Sequence, residues 1–100
     1  MYIYNVTVKV EPHRAEEWLD WMRNLHIPEV LKTGYFTENR ICRIVNEEEP
    51  EDFTFAIQYT CLTLEDYVGY QKNNAPALQK EHTDKFGEDA FAFRTLMEIL

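Results

Sequence analysis

Asn46-Glu47-Glu48-Glu49-Pro50-Glu51-Asp52 is an acidic run around a proline, a composition that stays in water and turns the chain. On either side of it the sequence follows one plan. Toward the N-terminus lie residues 35–45, which read as a strand, then Gly34, a helical stretch around residues 18–31 interrupted at Pro28, and a first strand over residues 2–10. Toward the C-terminus lie a strand over residues 53–61, a helical stretch over 64–86 interrupted at Pro76, then Gly87 and a last strand over 91–100. Each side is a βαβ unit, and the acidic run is the turn that joins them.

Residues 2–10 alternate Tyr2, Tyr4, Val6, Val8 and Val10 against Ile3, Asn5, Thr7 and Lys9, the period of a half-buried strand. Glu11-Pro12 opens the first helix, since proline's fixed φ and missing N–H are tolerated in a first helical turn. Trp18, Met22 and His26 recur at one-turn spacing, and Leu19 and Leu25 widen the apolar stripe. Pro28 withholds a backbone donor and restricts Ile27, so the helix is expected to kink there or restart as a shorter piece through Leu31. Gly34 supplies a left-handed stop. Thr63 with Asp66 three residues on caps the second helix, whose stripe is Leu64, Tyr67, Gln71, Leu78, His82 and Phe86, closed by Gly87.

A βαββαβ chain with right-handed crossovers folds as an α+β ferredoxin-like sandwich, with one antiparallel sheet in the order 4-1-3-2 and both helices on one face. The helices are expected to cover Val6, Val8, Phe55, Ile57 and Phe93. The opposite face then carries Ile3, Asn5, Thr7, Phe36, Arg40, Cys42, Ile44, Ala56, Gln58, Arg94, Leu96 and Glu98, which is too apolar for open water and too polar for a dry core. A second copy packed on that face, forming a dimeric α+β barrel with a partly polar interior, satisfies both demands.

One hundred residues make a single domain, and a chain this short buries roughly 60 to 65 % of the surface its unfolded form exposes, which favours association. With 18 acidic against 10 basic residues the net charge is −8, so a polyanion is repelled and no nucleic-acid partner is expected. No signal-type start and no 18-residue apolar stretch is present, so no membrane partner is expected and the protein reads as cytoplasmic. Placing the turn near Glu49 puts Cys42 opposite Ala56. Cys61 then lies about five residues further on, roughly 16 Å away at ~3.3 Å per residue, and both cysteines are expected as free thiols.

The blocks Tyr2-Ile3-Tyr4-Asn5-Val6-Thr7-Val8, Trp18-Leu19-Asp20-Trp21-Met22, His26-Ile27-Pro28-Glu29-Val30-Leu31, Ala75-Pro76-Ala77-Leu78, Glu81-His82-Thr83 and Phe91-Ala92-Phe93-Arg94-Thr95-Leu96 run through essentially the whole chain. In these blocks the chain resembles a small bacterial domain-of-unknown-function family. The resemblance implies a ferredoxin-like domain of the dimeric α+β barrel type and implies no activity, cofactor or catalytic residue. At the level of fold alone, the architecture is similar to antibiotic-biosynthesis monooxygenases and small lactone isomerases.

The sequence contains no serine, which excludes a serine hydrolase triad, and its three isolated glycines exclude a phosphate-cradling loop. Neither CxxC nor HExxH occurs; His13 with Glu16 and His26 with Glu29 are isolated pairs, and neither a metal nor a cofactor is expected. His26 and His82 sit on the apolar stripes of their helices, where burial shifts a pKa. They are either structural, bonded to backbone or to Glu29 or Glu81, or a general acid and base at the boundary of helix and sheet. Arg40, Arg94 and Glu98, with the amides of Asn5 and Gln58, are the candidate ligand-binding set on the uncovered sheet face. Their alternative role is a network across a subunit interface.

Three functions fit these residues. The first is a homodimer that binds a small organic ligand or a partner without catalysis. The second is a cofactor-free enzyme acting on a small organic acid, lactone or aromatic substrate in the barrel cavity, with Arg40 or Arg94 holding an oxyanion and His26 or His82 moving a proton. The third is a regulatory or structural subunit that meets a basic partner through the acidic turn.

Overall fold

β1 (Tyr2–Val10) is the strand around which the sheet is built. In the computed structural model, which describes residues 1–100, it pairs antiparallel with β3 (Phe53–Cys61) on one side and β4 (Ala90–Glu98) on the other, while β2 (Glu38–Ile44) pairs with the far edge of β3. The order β2-β3-β1-β4 is the one the βαββαβ reading requires, and the fold is a ferredoxin-like α+β sandwich. No helix is long and apolar enough to cross a membrane.

A short 3₁₀ segment with Pro12 in its first turn leads into α1 (Ala15–Trp21). Met22–His26 then winds as a π-helical turn, in which the N–H of Ile27 donates to the carbonyl of Met22, five residues back, before α2 (Ile27–Lys32) resumes. The break expected at Pro28 thus falls in the turn just before it, where the wide winding absorbs the missing proline donor. One extra residue in that turn moves the buried face from Met22 to Ile27 and Val30. Leu25, expected in the stripe, is exposed as a result.

The second helical stretch divides in the same way, into α3 (Leu64–Asn73) and α4 (Ala75–Phe86), with Pro76 in the first turn of α4. Thr63 Oγ1 accepts from the Asp66 N–H at 3.1 Å, so the expected cap forms. Tyr70, Leu78 and Phe86 are buried, whereas Leu64, also expected in the stripe, is exposed. Gly34 and Gly87 adopt φ of +85° and +54°, the left-handed region that lets the chain leave each helix for the next strand.

Cross-strand pairing decides which residues face the helices. Ile41, Ile57, Val6 and Arg94 form one row across the sheet; Asn39, Tyr59, Tyr4 and Leu96 form the next; Arg43, Phe55, Val8 and Ala92 a third. Arg94, Leu96 and Glu98 therefore lie on the helix side, and Phe93 lies on the open side opposite Thr7, the reverse of the expectation for β4. Slipping an alternating strand by one residue exchanges its faces. The helix side accepts the small set because Ala90 and Ala92 pack against a core already filled by Trp18, Phe55 and Phe86, leaving no room for phenylalanine. Phe36 is also corrected: it precedes β2 and is buried against Tyr4, Tyr59 and Tyr70. Cys42 does face Ala56 and is exposed, while Cys61 is buried, and both are free.

Gly69 in α3 lies directly against the ring of Tyr35 from the first half. A Cβ there would lie 2.8 Å from Cε1 of Tyr35, whose hydroxyl accepts from Asn73 at 2.9 Å. Gly→Ala alone gains up to about 1 kcal/mol of helix propensity, but crowding a packed ring costs about 1–3 kcal/mol. Thermal denaturation of Gly69→Ala should therefore show net destabilisation of about 1 kcal/mol. In a Tyr35→Ala background the same change should become stabilising.

Candidate functional site

Between the helices and β1, β3 and β4 the packing leaves a cavity of about 30 Å³, room for roughly two water molecules. Its walls are mostly apolar and aromatic, among them Val6, Val8, Met22, Ile57 and Leu78. Four nitrogen-bearing side chains line it, one of them the amide of Gln79 on α4. His26 comes from the π-helical turn, His82 from α4 and Arg94 from β4. Sequence periodicity placed the two histidines at the boundary of helix and sheet, and the inverted face of β4 is what adds Arg94 to them.

The histidines do not bond to Glu29 or Glu81, the partners the sequence suggested. Trp18 Nε1–H donates to His82 Nε2 at 2.9 Å, and His26 lies with its ring stacked on Trp21 at 4.9 Å. His26 Nδ1 is buried without a hydrogen-bond partner. The two imidazole centroids are 6.2 Å apart. The Glu81 carboxyl is raised above its ordinary range, by desolvation first and by the neighbouring Glu29 second.

Burial pushes His26 down to about 4, with further lowering from His82 and from the Arg94 cation. His82 is also lowered, by burial first and Arg94 second. Both rings are neutral at pH 7. Tyr59 and Tyr70 are raised by burial and hold their protons. Arg94 makes none of the ion pairs of the molecule, which join Arg14 to Glu17 and Asp89, Lys80 to Asp84, and Lys85 to Glu17.

The remaining candidates lie elsewhere. Arg40 and Gln58 face each other on the open side of the sheet, on a separate groove of about 190 Å³ that Ile3, Glu38 and Thr60 also line. Asn5 is on the same side, and its amide donates to Thr7 Oγ1 at 3.0 Å. Glu98 sits opposite Tyr2 near the end of β4, on the helix side. The set expected at one place is thus divided between two faces of the sheet. Sequence reading missed Trp18 as a partner of His82, although the spacing of both residues on apolar stripes was the available signal.

Residues 1–100 match the model of the family described as Domain of unknown function (DUF4286). No curated protein matches the chain by sequence. Among solved structures, the chain is similar to an EthD family protein from Bacillus halodurans at 14 % identity and TM-score 0.70, with 100 % of each chain covered. It is similar to a dimeric ferredoxin-like protein from an uncultured marine organism at 12 % identity and TM-score 0.73, covering 100 % of this chain and 95 % of that one. A candidate antibiotic biosynthesis monooxygenase from Nitrosomonas europaea follows at 12 % identity and TM-score 0.68, covering 100 % and 99 %. Identities this low establish the fold and nothing finer.

A histidine buried neutral ties stability to pH. Unfolded, His26 titrates near 6.5; folded, near 4, so below pH 6.5 only the unfolded chain takes up the proton and stability falls until about pH 4. The shift corresponds to at most roughly 3.5 kcal/mol at ~1.4 kcal/mol per unit. Denaturant titrations at pH 7 and pH 4.5 should show a loss on the order of 2 kcal/mol that is greatly reduced in His26→Gln.

Proposed function

The chain belongs to the DUF4286 family, which lends it no activity, and from the geometry we propose that it is a homodimer that binds a small organic acid without transforming it. The observation that carries the reading is Arg94. In a protein with net charge −8, a guanidinium without a carboxylate partner lies on the partly covered side of the sheet, beside two neutral histidines and an apolar cavity. Arg94 is itself exposed, so its cation stands solvated at the edge of the cavity, free to receive an anion whose body enters there. The apolar walls suit the body of such an acid and Arg94 suits its head.

Dimerisation is supported by the other side of the sheet. Phe91 and Phe93 are 68 % and 54 % exposed there, in rows with Ile44 and Cys42, and Met97 continues the patch opposite Ile3. Uncovered aromatic area of this kind marks a contact surface. The marine relative described as a dimeric ferredoxin-like protein shares the fold. Leu96, the residue first expected at this contact, faces the helices, so Phe93 takes its place in the test. Phe93→Glu should give monomers in sedimentation, because it buries an unpaired charge between the copies. An unchanged dimer would move the interface to another surface.

A second reading, a cofactor-free enzyme acting on a small organic acid, lactone or aromatic substrate, is favoured by one observation: two imidazoles stand within 6.2 Å beside a cation that could hold an oxyanion. Thermal-shift measurements with acetate, benzoate and other small carboxylates should raise the melting temperature of the parent and of Arg40→Ala but not of Arg94→Ala. If no carboxylate stabilises the parent, the binding reading fails. Exchange of solvent deuterium into a bound acid or lactone would establish the enzymatic one.

A further inference from the structure

Trp18 decides which nitrogen of His82 holds the proton. Its indole N–H can donate and cannot accept, so His82 Nε2, at 2.9 Å, must offer a lone pair. His82 is then a neutral ring with its proton on Nδ1, and charging it would set a second N–H against the fully buried Trp18 donor. His26 reaches the complementary arrangement by a different route. Its Nδ1 is sealed from solvent and has no partner, so a proton there would be an orphaned buried N–H. Native interiors tolerate an unpaired acceptor better than an unpaired donor, which puts the His26 proton on Nε2.

Resting on the organic-acid reading above, we infer that the cavity holds an oxyanion site in which Arg94 and both imidazoles act as donors alone, beside the amide of Gln79. The Arg94 guanidinium, His82 Nδ1–H and His26 Nε2–H hold a carboxylate while both imidazoles stay neutral. Neither ring has a free lone pair with which to take a proton from the ligand, since one is occupied by Trp18 and the other is sealed. The site therefore holds a carboxylate and does not act as a general base. At about 30 Å³ it admits the carboxylate head, and the apolar body of the ligand must lie toward the mouth.

Donors that need no added proton keep working as pH rises. The other ionisable groups that face the pair are Tyr4 from β1, Tyr59 from β3 and Tyr70 from α3, with Glu29 of α2 and Glu81 of α4 nearby. Burial keeps the Tyr59 and Tyr70 hydroxyls protonated.

Long-range ¹H–¹⁵N spectra of the imidazoles in the unliganded full chain test the assignment. His82 is expected to show a protonated Nδ1 and a bare Nε2, and His26 the reverse. Either ring in the opposite tautomer, or charged at pH 7, overturns it. Trp18→Phe should release His82 into mixed tautomers, and the spectra of the parent decide the assignment even where that variant does not fold. Benzoate titrated by calorimetry from pH 6.5 to 8.5 should bind with constant affinity, within about twofold. A loss of about tenfold per pH unit would identify a cationic histidine and overturn the site of neutral imidazole donors. Binding at no pH would refute the organic-acid reading and the ligand class with it, while the spectra still decide the tautomers.

Discussion

The indole of Trp18 is the contact on which the rest of the structure depends. It is fully buried, its ring stacks on Phe55 of the sheet at 5.0 Å, and its N–H is taken by His82 of α4. One side chain therefore sets the distance of α1 from the sheet and the position of α4 beside it. Removing so large a buried ring from such a place costs about 3–5 kcal/mol in a typical core. The size of the ring also explains β4, which turns alanines rather than phenylalanines toward the core. The cavity is the gap that remains once this ring and its neighbours have packed.

Most of the fold could be read from the sequence because it rests on local signals. Alternation over residues 2–10, the Thr63 cap and the glycines after each helix all act within a few residues of themselves, and each has its expected structural counterpart. The errors share a different character. Leu25 left the stripe because a π-helical turn adds one residue before Pro28, and β4 exchanged its faces because its partner strand, not its own pattern, sets its phase. In β4 the first residues offer an apolar side chain to either face, alanines to one and phenylalanines to the other. Only the space left by Trp18 and Phe86 distinguishes them.

That same phase accounts for what was and was not legible in the candidate site. His26 and His82 carry the helical period and could be placed without a structure. Arg94 could be placed only after β4 had a register, and once placed it parts from Arg40, leaving one arginine on each side of the sheet. The division matters chemically. The helix side offers a small, largely apolar enclosure with neutral rings, whereas the open side offers a broader groove among polar groups and exposed aromatics. Arg94 stands at the exposed edge of that enclosure, a cation within reach of both solvent and the cavity.

The placement of β1 has a consequence for how the chain is made. β1 is synthesised before β3 and β4 and lies between them, so Tyr2 finds its place opposite Glu98 only when the whole intervening chain has emerged. Until then one edge of a tyrosine- and valine-rich strand has no neighbour, and pairing at such long range is slow to form. An unpartnered edge of that composition invites other chains. Shielding of β1 during translation, rather than the strength of any finished contact, is thus the step at which this architecture is most vulnerable.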